Sequence, residues 1–273
     1  MSSINLIIGC GYLGHSLLHL LHNQYCWFTH RSENSIHDVE KENRRRLVID
    51  INDESSWKNI NELPEKQTVI IYFMVPPGKV DRTVFPDFIK RLCQLDIKKS
   101  IMISSTVVYG NVERVVDADS EVKIDSLRAE RQYLLERDWL ENMETGLVIR
   151  LAGLYGPDRV IGRNAITSNH IINGHPDGWL NLIHVDDGAR LVKQISEIES
   201  PESIELACDG NPIRRYDYYS FLAKQLKQPE PKFHHDGNTR GLGRQCDNKI
   251  TISRTGWQPV HTDFRKVLLN LIT

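Results

Sequence analysis

The amino-acid sequence predicts an α/β fold built on a doubly wound parallel sheet, and three observations support this class. Short β-rich apolar segments alternate with longer amphipathic ones through the first half of the chain, as in successive βαβ units. Segment 69–75 is apolar at every position, which is typical of a central parallel strand covered on both faces. A glycine-rich turn directly follows the first apolar segment. Together these features predict a Rossmann-type doubly wound sheet.

Period-2 and fully apolar segments give the strands, and stripes at helical spacing give the helices. The predicted strands are Asn5–Ile8, Tyr25–Thr29, Leu47–Ile49, Val69–Phe73, Ser100–Ser104, Gly146–Arg150 and Ile204–Ala207. The predicted helices are Leu13–Leu21, Phe85–Leu95, Asp125–Glu141, Asp217–Leu226 and Asp263–Ile272. The basic run Arg44–Arg46 is interpreted as a solvated turn before the third strand, because acidic residues surround it.

Composition narrows the classes of function. The 273 residues are 40% hydrophobic and 26% charged, as in ordinary globular proteins, and the net charge of −2 disfavours a general nucleic-acid binder. No apolar run approaches the roughly 18 residues of a membrane span, and no secretory signal is visible. The five cysteines have no metal-ligand spacing. We therefore expect a cytoplasmic protein with reduced thiols, no metal site, and neither nucleic acid nor membrane as a partner.

The glycine turn Gly9–Gly14, with the sequence GCGYLG, matches the dinucleotide-binding pattern in its required strand-to-helix context. Gly9 permits the tight turn, Gly11 lets the backbone approach a pyrophosphate, and Gly14 allows close packing of helix on strand. The helix that follows offers free N–H groups and the positive end of its dipole to the phosphates.

The residues after the second strand predict which dinucleotide binds. NAD-selective sites place an acid about twenty residues into the motif, whereas here that position is Thr29, followed by His30, Arg31 and Ser32. Arg31 suits a 2′-phosphate, so NADP(H) is predicted over NAD(H), which stays possible. Asp50 and Ile51 are expected beside the adenine. The full set of expected cofactor residues is Gly9, Cys10, Gly11, Tyr12, Leu13, Gly14, His30, Arg31, Ser32, Asp50, Ile51, Val75, Ser104 and Leu151.

Three later segments resemble motifs of one family. Ile103–Gly110 (ISSTVVYG), Arg150–Pro157 (RLAGLYGP) and Asn181–Asp187 (NLIHVDD) are similar to segments of the extended short-chain dehydrogenases/reductases, the NAD(P)-dependent epimerase/dehydratase family. The resemblance implies a Rossmann domain (1–155 and about 183–210) and a smaller C-terminal substrate domain (about 156–182 and 211–273). It also implies an oxidoreductase, epimerase or dehydratase acting on a sugar nucleotide or another small polar metabolite, as a monomer or homodimer.

The chain departs from this family at the catalytic pair Tyr-x-x-x-Lys. Aligning Glu136 with the glutamate that often follows the lysine places Gln132 at the lysine position and Arg128 at the tyrosine position. Tyr133 with Arg137 forms a related pair one residue out of that register, roughly 100° around the helix. A small shift would bring this pair into the catalytic position, which is the alternative that makes Tyr133 a candidate. The resemblance is thus to an atypical member.

Loss of the pair leaves the catalytic candidates and the activity itself open. Ser105 occupies the family's substrate-side Ser/Thr position, where it either polarises a substrate or only caps the strand end. Arg128 is too basic to act as a base but suits a carboxylate or phosphate. The catalytic candidates are therefore Ser105, Arg128 and Tyr133. The alternative function is a non-catalytic NADP(H)-binding sensor or regulatory protein.

Overall fold

The computed structural model describes residues 3–32, 42–65, 67–237 and 239–272. The strands are β1 (Ile4–Ile8), β2 (Cys26–His30), β3 (Arg44–Val48), β4 (Val69–Phe73), β5 (Ile97–Ser105), β6 (Val115–Val116), β7 (Gly146–Leu151), β8 (Gly153–Tyr155), β9 (Ile172–Asn173), β10 (Trp179–Leu180), β11 (Leu182–His184), β12 (Ile204–Ala207), β13 (Ile213–Arg214), β14 (Phe233–His234) and β15 (Gln245–Cys246). The α-helices are α1 (Tyr12–Leu20), α2 (Phe85–Leu92), α3 (Leu127–Asn142), α4 (Arg163–Thr167), α5 (Val185–Glu197), α6 (Arg215–Gln225), α7 (Lys249–Thr255) and α8 (Phe264–Ile272). Short 3-10 helices cover Glu54–Glu62, Pro77–Lys79 and Thr106–Tyr109.

Seven strands form the parallel central sheet, in the order β12-β7-β5-β4-β1-β2-β3. From β1 the chain adds strands in one direction through β3, then returns to the other side of β1 with β4. This reversal leaves a crevice beyond the carboxyl ends of β1 and β4, where doubly wound sheets bind their ligands. The predicted fold class is confirmed.

The bounds of the buried strand β4 are predicted more accurately than those of the outer strand β3. The strand Val69–Phe73 has the predicted bounds and is buried at every position. The interpretation of Arg44–Arg46 as a turn is wrong, because these arginines belong to β3 and pair with Cys26–Phe28 of β2. β3 is the outer strand of the sheet, where charged side chains reach solvent or carbonyls, as the Arg44 guanidinium does at the Leu18 carbonyl 2.8 Å away.

The chain divides into two compact units, and each has its own apolar core. Unit 1 comprises Met1–Ser104, Arg131–Ile149 and Ala189–Glu205, and unit 2 comprises Ser105–Glu130, Arg150–Gly188 and Leu206–Thr273. The unit 1 core includes Phe73, Phe85, Phe88 and Trp139, and that of unit 2 includes Tyr155, Tyr218, Leu222 and Phe264. The predicted domain boundaries differ from these and stay a prediction. Within the described residues, no helix is long and apolar enough to cross a membrane.

Asp209 is a buried acid in unit 2, just after β12, and it makes stability depend on pH. Its side chain is almost fully buried, and its Oδ1 accepts a hydrogen bond from the Asn211 N–H at 2.9 Å. Burial raises the pKa of Asp209 to about 7, and the negative charge of Asp187 adds to the rise. The folded state therefore holds a proton that the unfolded chain releases near pH 4, so stability falls as the pH rises from about 4 to about 7.

Asp209→Asn should remove this loss, because the amide stays neutral and keeps an oxygen for the Asn211 N–H. We expect the unfolding free energy of the variant, relative to the parent, to improve by on the order of 2 kcal/mol between pH 5 and pH 8. Urea unfolding of both proteins at the two pH values measures this difference. A difference that does not change with pH would show that the carboxyl already ionises near its ordinary pKa.

Candidate functional site

The glycine turn adopts the geometry that its sequence predicts. Gly9 has a φ of +80°, and a Cβ there would lie 2.7 Å from Val75 Cγ2. Its N–H donates to Thr29 Oγ1 at 2.9 Å, which ties the turn to the end of β2. Gly11 precedes α1 at a φ of −104°, and its Cβ would meet nothing nearer than the Gly9 carbonyl oxygen at 4.0 Å. Space for a ligand therefore lies in front of Gly11.

A cleft of about 280 Å³ opens beside this turn, entirely within unit 1. It is formed by the turn and by the segments that follow β2, β3 and β4. The lining residues are Gly9, Cys10, Gly11, Thr29, His30, Arg31, Ile49, Asp50, Ile51, Val75, Pro76 and Lys79. Eight of the residues expected from the sequence thus lie along one cleft, in an arrangement that suits the adenosine half of a dinucleotide.

The charges of the cleft differ in how they are held. Asp50 Oδ1 accepts the Asn52 N–H at 3.0 Å, so one carboxylate oxygen is engaged in a local turn. Arg31 and Lys79 are exposed, and neither side chain makes a hydrogen bond or ion pair with another described residue. The cleft therefore combines apolar walls, which include Ile49 and Val75, with two basic side chains that are available to a ligand.

The other six expected cofactor residues are not among those that line this cleft. In α1, Tyr12 is half-buried, while Leu13 and Gly14 are buried; a Cβ on Gly14 would lie 3.2 Å from Cys10 Sγ, which agrees with a packing role. Ser32 is exposed. Ser104 is buried and donates a hydrogen bond to Glu136, and Leu151 is buried in unit 2. Their contacts with a cofactor stay predictions.

The three catalytic candidates lie in different settings. Ser105 is the N-cap of the 3-10 helix Thr106–Tyr109, where its Oγ accepts the Val107 N–H at 3.3 Å and keeps its own O–H to donate. Arg128 is the second residue of α3, and partial burial together with the like charge of Arg240 lowers the pKa of its guanidinium. Tyr133 belongs to unit 1 and is half-buried.

Two further tyrosines of the family-like motifs are buried. Tyr109 is fully buried, and its hydroxyl accepts a hydrogen bond from Arg150 Nη1 at 3.1 Å. Tyr155 is also fully buried, and its burial raises the pKa of its phenol well above the usual range. Both side chains are therefore enclosed by other residues of the protein.

Comparison with known proteins supports the fold. No protein-family model matches the sequence, and no curated protein matches it. MoeE5, solved with UDP-glucose and NAD, aligns at a TM-score of 0.80 and 17% identity over 99% of this chain and 97% of its own. UDP-glucose 4-epimerase of Thermotoga maritima, solved with UDP-glucose, aligns at a TM-score of 0.76 and 18% identity over 98% of this chain and 97% of its own. A Methylobacillus flagellatus protein described as an NAD-dependent epimerase/dehydratase aligns at a TM-score of 0.76 and 23% identity over 99% of this chain and 97% of its own.

The sheet order, the glycine turn and these likenesses define an α/β protein of the Rossmann class. More particularly, the chain shares the fold of solved proteins described as an epimerase/dehydratase and as a UDP-glucose 4-epimerase. The structure therefore agrees with the resemblance seen in the motifs. The loss of the Tyr-x-x-x-Lys pair stays a prediction from the sequence.

Proposed function

We propose that this protein binds a nicotinamide dinucleotide at the cleft beside the glycine turn and prefers NADP(H) to NAD(H). The observation that carries the proposal is the convergence on one cleft of the Gly9–Gly11 turn and the ends of β2, β3 and β4. The open space in front of Gly11 fits a pyrophosphate, and Ile49, Ile51 and Val75 offer apolar surface to an adenine. Arg31 supplies a guanidinium for a 2′-phosphate, and no acid occupies its position after β2.

Arg31→Ala tests the preference for NADP(H). Loss of one charge-assisted contact should weaken NADPH binding at least about tenfold and leave NADH binding within about twofold. Titration of both reduced coenzymes into the parent and the variant by calorimetry gives the four dissociation constants. Equal losses for NADPH and NADH would place Arg31 against a part that the two coenzymes share and would remove the basis for the NADP(H) preference.

We further propose that the protein is an oxidoreductase, epimerase or dehydratase acting on a sugar nucleotide or another small polar metabolite. A nicotinamide coenzyme, when bound, supplies hydride transfer. The Ser105 O–H can donate a hydrogen bond to a substrate carbonyl or hydroxyl, because only its oxygen is used by the Val107 N–H. Arg128 can bind a carboxylate or phosphate on the substrate, because its side chain has no ion pair with a described residue. MoeE5 and the Thermotoga epimerase, both solved with UDP-sugars, support the substrate class.

A non-catalytic dinucleotide-binding protein is the second candidate, favoured by the composition of α3. The alignment on Glu136 predicts Arg128 and Gln132 at the family's catalytic positions, and Gln132 is buried. A panel of sugar nucleotides and carbonyl compounds, monitored by the absorbance of bound NADPH, separates the two candidates. Turnover that Ser105→Ala lowers supports the enzyme, whereas binding without any hydride exchange supports the sensor.

A further inference from the structure

A second cation stands in the proposed dinucleotide cleft, on a segment far from the glycine turn in the sequence. Lys79 ends the 3-10 helix Pro77–Lys79 after β4 and lines the cleft together with Arg31. Its side chain is exposed and makes no hydrogen bond or ion pair with any described residue. By contrast, Lys90 on α2 is paired with Asp87 at 2.7 Å.

The backbone that carries Lys79 is held by hydrogen bonds, whereas its ammonium group has no partner among the described residues. The Lys79 N–H donates to the Pro76 carbonyl at 2.8 Å, and the Lys79 carbonyl accepts from Asn52 Nδ2 at 3.0 Å. Asn52 Oδ1 in turn accepts the Asp81 N–H at 2.8 Å. Asn52 thus fastens the loop after β4 to the loop after β3, next to Asp50 and Ile51, which the sequence assigns to the adenine wall.

The charges that line the cleft indicate which chemical group of a ligand Lys79 would bind. Among the described residues, the cleft is lined by two basic side chains, Arg31 and Lys79, and by one acid, Asp50, whose Oδ1 already accepts the Asn52 N–H. Two cations that have no partner among the described residues favour a ligand group with more than one negative charge, and a phosphate on the adenosine ribose is such a group. In the proposed site the pyrophosphate lies instead at the Gly9–Gly14 turn and the start of α1, whose N–H groups suit it.

We propose that Lys79 is a second determinant of coenzyme choice and that it binds, together with Arg31, the 2′-phosphate of NADP(H). This inference rests on the proposed dinucleotide site and adds a residue that no sequence motif singles out. Asn52 acts as a positioning residue, because it holds the Lys79 backbone and does not itself need to touch the coenzyme.

Lys79→Met tests the assignment, since it keeps an unbranched side chain and removes the charge. We expect the dissociation constant for NADPH to rise about tenfold and that for NADH to stay within about twofold. Lys79→Arg should restore most of the NADPH affinity. Lys90→Met, which removes an exposed lysine of the same unit outside the cleft, should change neither constant.

The outcomes separate the failure of this inference from that of the proposed function. If the parent protein binds neither NADPH nor NADH by calorimetry, the proposed dinucleotide site is wrong. If the parent binds them and Lys79→Met weakens both equally, Lys79 meets a phosphate common to the two coenzymes and the assignment is overturned. Unchanged binding of both coenzymes by Lys79→Met also overturns it. Only a selective loss for NADPH, restored by arginine, supports it.

Discussion

Gly11→Ala is expected to remove dinucleotide binding while leaving the fold intact. The backbone at Gly11 has a negative φ of −104°, and the added Cβ would meet nothing nearer than the Gly9 carbonyl oxygen at 4.0 Å. The methyl group would instead occupy the space through which a pyrophosphate approaches the turn. We expect dissociation constants for NADPH and NADH to rise at least about 100-fold, and the unfolding free energy to change by less than about 1 kcal/mol.

Calorimetry and urea unfolding of the same preparation measure both quantities. Gly9→Ala is the contrasting variant, because its φ of +80° is unfavourable for alanine and its Cβ would lie 2.7 Å from Val75 Cγ2. That variant should lose stability as well as binding. If Gly11→Ala bound both coenzymes like the parent, the pyrophosphate could not lie against this turn.

Trp139→Ala is expected to cause the largest loss of stability among the changes considered. Trp139, on α3, is fully buried in unit 1, and its Nε1 donates to the Ser100 carbonyl at 3.3 Å. Its ring lies 5.3 Å from that of Phe73 and stacks on Phe85 at 6.5 Å between centroids. Truncation leaves a large cavity and an unpaired carbonyl, so we expect a loss of about 3–5 kcal/mol in unfolding free energy.

The companion variant Trp139→Phe separates packing from the rest of the effect. This variant keeps an aromatic ring beside Phe73 and Phe85. It loses part of the side-chain volume and the whole hydrogen bond to Ser100, so we expect the unfolding free energy to fall by about 1–2 kcal/mol. Equilibrium urea unfolding measures both variants. A loss below about 1 kcal/mol for Trp139→Ala would mean that the surrounding side chains collapse into the space, contrary to the tight packing of this core.

The sequence predicts the central parts of the fold better than its margins. Val69–Phe73 is predicted to the residue, and its apolar side chains on both faces are typical of a buried parallel strand. The predicted third strand begins three residues later than β3 does. At an outer strand, backbone hydrogen bonding to β2 sets the limits, and this pairing does not require apolar side chains. The charge of Arg44–Arg46 and of the surrounding residues therefore does not indicate that this segment is a strand.

The candidate site shows the same division. The glycine turn and the residues after β2 and β3 follow a fixed spacing, so Gly9, Arg31 and Asp50 are predicted from the sequence and lie along one cleft. Lys79 is not among the residues predicted from the sequence, because no motif fixes the spacing of a basic residue after β4. The signal that could have found it is a basic residue shortly after the all-apolar strand β4. The catalytic roles of Ser105, Arg128 and Tyr133 stay predictions.

The strand order also bears on how a nascent chain can assemble the sheet during translation. β2 and β3 add in turn to one side of β1, and β4, β5, β7 and β12 add in turn to the other. Each strand leaving the ribosome therefore meets an open edge of those made before it, and none has to be inserted between two partners already joined. Synthesis and assembly can proceed together, from the middle outward, with the Ile204–Ala207 strand closing the series.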